Sequence, residues 1–198
     1  MTTTTVPQTA NPASRSVDGV DVPLAGSYEI DAAHTHVGFV VRHLMLSKTR
    51  GRFAGVSGTV VIGDEPLDSR VDVTIETAGV DTGDARRDEH LRSPDFFDAE
   101  PFPVITYRSR AVQPAGPGRW SVEGDLTVRD VTRPVVLDLS FDGGVTDPWD
   151  NVRAGFTASA QLDRNDFGLT WNQVLEGGGV LVGRTVSIEI EAELVRIA

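Results

Sequence analysis

Four histidines and one charged cluster are the side chains of this sequence best suited to chemistry. Val37, Phe39 and Val41 are spaced two residues apart, and His43 continues their register. In a strand this spacing places all four side chains on one face, which the apolar residues mark as the inner face. An imidazole there is placed to contact the head of a bound ligand. The alternative, a core histidine hydrogen-bonded to a backbone carbonyl, stays open.

His34 and His36 have the two-residue spacing that metal sites use on a strand face. A catalytic zinc needs a third protein ligand beside such a pair, and only His43 and His90 remain as histidines. We therefore interpret the pair as solvated histidines. The sequence predicts no metal site.

The cluster Arg-Arg-Asp-Glu-His at residues 86–90 offers cations and helix-end amides to a pyrophosphate. The alternative is a structural network that joins Arg87 to Asp88 and Asp95. The competing candidates for an anionic head group are Arg42, Lys48 and Arg50.

Several classes of function lack their usual sequence signals. No glycine-rich phosphate loop, nucleophile elbow or Ser/His/Asp constellation is present, and the glycines at 177–179 are interpreted as a turn. The absence of cysteine excludes disulfides and thiolate chemistry. A net charge of −11 repels phosphate backbones and anionic membrane surfaces at long range, which argues against nucleic acid as a partner. We predict no catalytic residue and no cofactor.

The elements that must position these residues are strands, because the dominant pattern has a period of two. From residue 186 to residue 194, apolar side chains alternate with Ser187, Glu189, Glu191 and Glu193. Residues 120–129 and 135–142 show the same alternation and predict a hairpin across residues 130–133. Weaker alternation covers residues 35–42, 53–62, 71–80, 104–110 and 153–163.

These segments predict an all-β fold, an eight-stranded antiparallel barrel, because closure removes the exposed edges of long strands. Short helices are predicted at residues 43–47 and 84–93, where Asp84 caps the start and Pro94 prevents continuation. The polar N-terminal sequence predicts a disordered tail over residues 1–25, followed by one domain over residues 26–198. Without a secretory signal or a long apolar stretch, we expect a soluble, cytoplasmic protein with no integral membrane segment.

Small residues on one inward register suggest space inside the barrel. Residues 154–162 place Ala154, Phe156, Ala158, Ala160 and Leu162 on that register. The alternative is that bulky partners fill the space. The side chains predicted to contact a ligand tail are Phe39, Phe53, Val73, Ile75, Tyr107, Leu126, Leu137, Phe156, Ala158 and Ile188, with Arg42 and His43 near its head.

Two blocks of sequence resemble the YceI-like family. The first contains Asp31-Ala-Ala-His34, Arg42-His43-Leu-Met, Ser47-Lys48 and Arg50-Gly51-Arg-Phe53. The second contains Thr82, Arg87-Asp88-Glu-His90-Leu91, Asp95-Phe96-Phe97-Asp98 and Pro101-Phe-Pro103. Further similarity at Arg164-Asn-Asp166-Phe167-Gly168 extends the resemblance over nearly all of residues 26–198.

The resemblance implies a lipocalin-like antiparallel barrel whose interior holds an isoprenoid chain, as part of a polyprenyl pyrophosphate or an isoprenoid quinone. Family analogy also makes a homodimer a reasonable expectation. The segment from Leu169 to Gly183 is similar to cytoplasmic-type relatives. Because the second block keeps acid and base together, we favour the structural network at residues 86–90 over phosphate binding.

Two rival functions stay open. The first is an isomerase or hydrolase for a small apolar substrate, with His43 or Asp88 as general base. The second is a structural or interaction module that presents its acidic exterior to a protein partner. The physiological role of a lipid binder, whether transport, storage or stress protection, stays open as well.

Overall fold

The computed structural model describes residues 13–174 and 178–197. Within these ranges there are thirteen strands, one α-helix and three short 3-10 helices. The strands are β1 (Ser14–Val17), β2 (Val20–Pro23), β3 (Gly26–Ile30), β4 (His36–His43), β5 (Ser47–Phe53), β6 (Val56–Ile62), β7 (Arg70–Glu76), β8 (Val80–Asp81), β9 (Val104–Gly116), β10 (Arg119–Val128), β11 (Val131–Thr146), β12 (Val152–Asp163) and β13 (Val182–Arg196). Helix α1 covers Ala85–Arg92, and the 3-10 helices cover Pro66–Asp68, Thr77–Gly79 and Arg164–Phe167.

Eleven of these strands form one closed antiparallel sheet. β3 to β7 and β9 to β13 pair around the barrel, and the pairing of β12 with β13 closes it. Strand β13 pairs with β4 along its first part and with β3 along its last part, so that β3 and β4 share one strand position. β5 with β6 and β7 with β8 share positions in the same way. The barrel therefore has eight strand positions, which confirms the predicted fold.

The barrel has two distinct ends. At the first, which we call the helix end, lie the β4–β5 turn, α1, the β10–β11 turn and the segment between β12 and β13. At the second, which we call the terminal end, lie the β6–β7, β9–β10 and β11–β12 connections, together with the N-terminal hairpin and the last residues of β13. The alternation of each strand sends apolar side chains into the space between these ends.

The N-terminal boundary of the folded part differs from the prediction. Where the sequence predicts a tail through residue 25, β1 and β2 pair as a hairpin that packs on β11. Ala13 and Val22 are buried there, and Arg15 donates to the carbonyl of Gly63 over 2.7 Å. Two buried apolar groups and this long-range bond stabilise a segment whose composition alone favours disorder. For residues 1–12, which lie outside the described ranges, disorder stays a prediction.

One predicted helix is present and the other is not. Helix α1 begins after Asp84, whose carboxylate accepts from the backbone N–H groups of Arg86 and Arg87, and it ends before Pro94. The helix predicted at residues 43–47 is instead the turn of the β4–β5 hairpin, in which His43 pairs with Ser47. Strand pairing satisfies the backbone groups here, and the three residues of the turn are too few for a helix.

Candidate functional site

The lumen of the barrel contains a cavity of about 310 Å³ whose lining is almost wholly apolar. The cavity extends from Val22 and Pro23 at the terminal end to Leu91 and Phe97 at the helix end. Along its length it is lined by Val37, Phe39, Phe53, Ile75, Tyr107, Leu126, Leu137, Phe156, Ala158, Leu162, Ile188 and Ile190, among others. The size and the lining are those of a site for an apolar small molecule.

The residues predicted to contact a ligand tail all line this cavity. They are Phe39, Phe53, Val73, Ile75, Tyr107, Leu126, Leu137, Phe156, Ala158 and Ile188. The two predicted head-group residues are not among the lining residues. Arg42 is exposed on the outer face of β4, because its register is opposite to that of Phe39. His43 is half-buried at the rim, and its imidazole has no hydrogen bond to any described residue.

Some small residues on the inner face leave cavity volume, whereas at others a neighbouring side chain occupies the space. Ala158 and Ala160 line the cavity as expected. Gly124, by contrast, adds no volume, because a Cβ there would lie 2.5 Å from Cζ of Tyr107. The phenol ring occupies that space, and its hydroxyl donates to the carbonyl of Val122 over 2.9 Å. Burial raises the pKa of Tyr107, so the ring is a neutral part of the wall.

Aromatic side chains close the helix end. Leu91 of α1 and the following Phe96 and Phe97 point into the cavity. The ring of Phe97 packs edge-on against Phe53 with centroids 5.5 Å apart. On the outer side, the Trp171 ring lies 4.7 Å from His90 and 5.3 Å from Phe96. These contacts join α1 to the segment that precedes β13.

Arg164 stabilises the helix end by hydrogen bonds to the segment that precedes β13 and to the first residues of that strand. The side chain is buried, and its guanidinium donates to the carbonyls of Gly183 (2.9 Å) and Trp171 (2.9 Å) and also to those of Leu169 and Val182. All four acceptors are neutral, so burial lowers the pKa of Arg164 from its ordinary value. Because the cavity lining is almost wholly apolar, Arg164 contributes mainly its aliphatic stem to the wall.

The charged cluster of residues 86–90 forms a structural network with partners other than those predicted. The carboxylate of Asp88 is buried and accepts from the backbone N–H (2.9 Å) and the hydroxyl (2.5 Å) of Thr82. Arg87 donates to the hydroxyl and the carbonyl of Thr82, and His90 pairs with Asp95 at 2.9 Å. The predicted bonds from Arg87 to the two aspartates are therefore wrong, because Thr82 lies between Arg87 and Asp88 and bonds to both, while His90 pairs with Asp95.

The two N-terminal histidines do not share a strand face. His34 lies in the turn before β4, where its Nδ1 is 3.0 Å from the carboxylate of Asp31, while His36 begins the strand. Asp31, His34 and Glu193 come close enough together to hold a cation. However, Arg153 already donates to Asp31 (2.7 Å), to Asp147 (2.8 Å) and to Glu193. We interpret this group, the Arg153 network, as an ion network on the outer face near the terminal end.

Hydrogen bonds within the Arg153 network shift the pKa values of its members. The bond from Arg153, followed by that from His34, lowers the pKa of Asp31 to about 2. The Arg153 bond, with help from Asn151, holds the pKa of Asp147 well below its usual range. The three carboxylates raise the pKa of the Arg153 guanidinium in turn. Asp31, Asp147 and Arg153 are thus ionised at neutral pH.

Sequence reasoning did not assign several residues that line the cavity. Leu91, Phe96 and Phe97 follow or belong to a short helix, and Val22 and Pro23 lie in the predicted tail. Strand alternation carries no information about them, because it stops where strands stop. The available signal was the apolar pair at residues 96–97 inside an otherwise charged segment.

No helix among the described residues is long and apolar enough to cross a membrane. The curated relatives include a UPF0312 protein of Vibrio parahaemolyticus, 39% identical over 146 residues, which covers 72% of this chain and 77% of the relative. Another is a UPF0312 protein of Photorhabdus laumondii, 40% identical over 147 residues, with 73% and 76% covered.

Solved structures of similar shape include the YceI protein of Campylobacter jejuni, 28% identical, with a TM-score of 0.67 over 85% of this chain and 96% of that one. BcnA of Burkholderia cenocepacia is 22% identical, with a TM-score of 0.73 over 83% and 98%. A polyisoprenoid binding domain from Saccharophagus degradans, implicated in plant cell wall breakdown, is 16% identical, with a TM-score of 0.67 over 86% and 98%. The profile of the YceI-like domain matches residues 28–194. With the barrel and its apolar lumen, these matches show that the chain belongs to the YceI-like domain family.

Proposed function

We propose that this protein binds an isoprenoid-type lipid, with the hydrocarbon chain inside the barrel lumen. The observation that carries the proposal is the cavity itself, which runs between the two ends and has an almost wholly apolar lining. Each square ångström of hydrocarbon transferred there from water contributes about 25 cal/mol. The polyisoprenoid binding domain from Saccharophagus degradans, which shares the fold, supports the choice of an isoprenoid chain.

The polar groups next to the lumen support a hydrocarbon occupant rather than a polar one. The Tyr107 hydroxyl already donates to Val122, and four donor groups of Arg164 are taken by backbone carbonyls. A polar ligand buried here would lose its bonds to water and gain few in return, which is costly. The head group of either proposed ligand, a polyprenyl pyrophosphate or an isoprenoid quinone, therefore belongs at the rim.

The direct test is to purify the protein from its native host under mild conditions and to identify the lipids that organic solvent releases. We expect an isoprenoid near one molecule per chain, against none from an unrelated control protein. A matched pair of variants locates the site. Ala158→Trp fills the lumen and should abolish retention, while Glu191→Gln on the outer face should retain the lipid. Equal lipid content in both variants would contradict a lumen site.

The rival functions receive less support from the geometry. Of the two proposed general bases, Asp88 is engaged by Thr82 and His43 is at the rim, and neither lines the cavity. The matching family model describes a YceI-like domain, and one protein of the same fold is a polyisoprenoid binding domain; neither description is that of an enzyme. The cytoplasmic location, the homodimer and the interaction module stay predictions.

A further inference from the structure

The turn between β4 and β5 exposes large apolar side chains at the helix end. Met45 is 60% exposed and Leu46 is 82% exposed. The neighbouring segment adds Val174, which is 84% exposed. Backbone bonds from Leu44 to Leu181 and from Leu181 to Gln173 hold the two segments side by side. Together Met45, Leu46 and Val174 form an exposed apolar surface, which we call the apolar tip.

The backbone of the turn is strained at one residue of the apolar tip and at the residue before it. Leu44 and Met45 have φ angles of 53° and 58°, in the left-handed region that turns of this kind normally give to Asn and Gly. A sequence selected only for a stable turn would not place two large apolar residues at these positions. Backbone strain of this kind is typical of functional sites.

Three cations without a salt-bridge partner among the described residues lie on the two strands that lead into this turn. Arg42 and Lys48 lie directly opposite each other on β4 and β5, and Arg50 is two residues further along the same outer face. Among the described residues none of the three makes a salt bridge, whereas Arg52, the next on this face, pairs with Asp81. Like charges that face each other across strands are destabilising. Arg42, Lys48 and Arg50 thus form a locally basic surface on a chain whose net charge is −11.

We propose that the apolar tip and its three cations dock this protein on the surface of an anionic phospholipid bilayer. Apolar side chains that project from a basic surface match the bilayer interface, where hydrocarbon lies beneath anionic head groups. The contact would place the helix end of the barrel against the membrane. This docking surface lies outside the lumen and goes beyond the function proposed above.

Sedimentation of the full-length protein with vesicles tests the proposal. Wild type should bind vesicles of mixed phosphatidylglycerol and phosphatidylcholine, and binding should fall in high salt and with phosphatidylcholine alone. Replacing Met45 and Leu46 together by Ser should reduce binding about tenfold or more. The matched control replaces Val136 and Val145, which are also exposed but lie on β11, by Ser and should bind like wild type.

The charges are tested in the same assay. The double variant Lys48→Gln with Arg50→Gln should lose about 25-fold in binding, at about fivefold for each cation. The control Arg70→Gln with Arg196→Gln makes the same change in net charge at exposed sites elsewhere and should keep wild-type binding. Thermal unfolding of all four variants checks that they fold.

The outcomes separate this proposal from lipid binding in the lumen. Ala158→Trp, which fills the cavity, should bind anionic vesicles like wild type. If the wild-type protein does not bind anionic vesicles, the docking proposal is overturned and a protein becomes the remaining candidate partner for the apolar tip. This conclusion does not depend on the result of the lipid extraction. Equal binding by the tip variants and their controls would overturn it as well. An extract without lipid would contradict only the function proposed for the lumen.

Discussion

The two ends of the barrel are closed by different chemistry. At the helix end, arginines donate to backbone carbonyls, as Arg92 does to Ala78 and Val80, and the closure itself consists of aromatic contacts around Phe96 and Trp171. Near the terminal end, Arg153 donates to three carboxylates from separate parts of the chain. Aromatic contacts can be exchanged for contacts with a lipid at little cost, whereas opening the Arg153 network would leave its carboxylates without their partner. We therefore expect lipid to enter at the helix end, while the terminal end keeps the barrel closed.

The largest expected effect comes from removing the cation of the Arg153 network. Arg153→Met leaves Asp31, Asp147 and Glu193 as neighbouring carboxylates without their partner, which should cost about 2 kcal/mol in free energy of unfolding because the site is partly exposed. Urea denaturation measures the loss. The control Arg119→Met breaks the exposed pair with Asp138 and should change stability little. Equal effects of the two variants would contradict a special role for the network.

Acid should weaken the terminal end before the helix end. The pKa of Asp31 is lowered in the folded protein from 3.8 to about 2, so its contribution to stability is complete above pH 4 and is lost as the pH falls towards 2. Asp147 adds a loss in the same direction. Hydrogen exchange at a series of pH values should show the amides near Arg153 losing protection first. In Arg153→Met this pH dependence should largely disappear, and its persistence would assign the effect to other groups.

Opening the helix end should speed lipid exchange more than it affects stability. Trp171→Ala removes two aromatic contacts worth about 0.5–1.5 kcal/mol each, so release of a dansyl-labelled farnesyl probe should be about tenfold faster. Stopped-flow fluorescence measures the rate. Trp149→Ala is the matched control, because that side chain is exposed in the turn at the terminal end. Faster release from the Trp149 variant would place the entrance at the terminal end instead.

The smallest effect should come from the polar support of α1. Thr82→Val removes the hydroxyl that donates to the buried carboxylate of Asp88, which should cost about 1 kcal/mol. Denaturation with urea gives the value, and Thr132→Val on the exposed β10–β11 hairpin provides the control. Probe release should be modestly faster, since α1 carries Leu91 into the cavity. A stable variant with wild-type release would mean that α1 is held by its apolar contacts alone.

The sequence could predict those parts of the site that lie on strands. Phe39 and Phe156 were assigned to the lumen because alternation decides which face a side chain occupies, and the structure places both in the cavity lining. The same alternation places Arg42 on the outer face, so its prediction as a cation for an anionic head group did not come from the register, and the structure leaves it outside the cavity lining. Where strands stop, as at Phe97, the pattern gave no assignment.

By itself the sequence determined most of the long strands, their inner faces and the bounds of α1, because each depends on residues that are close in the chain, such as Asp84 and Pro94 around the helix. Only the tertiary structure decided how the two ends close. Arg153 meets Asp31 across 122 residues, and Trp171 meets His90 on a different element. Such contacts depend on which strands become neighbours when the barrel closes, and a local pattern carries no record of that geometry.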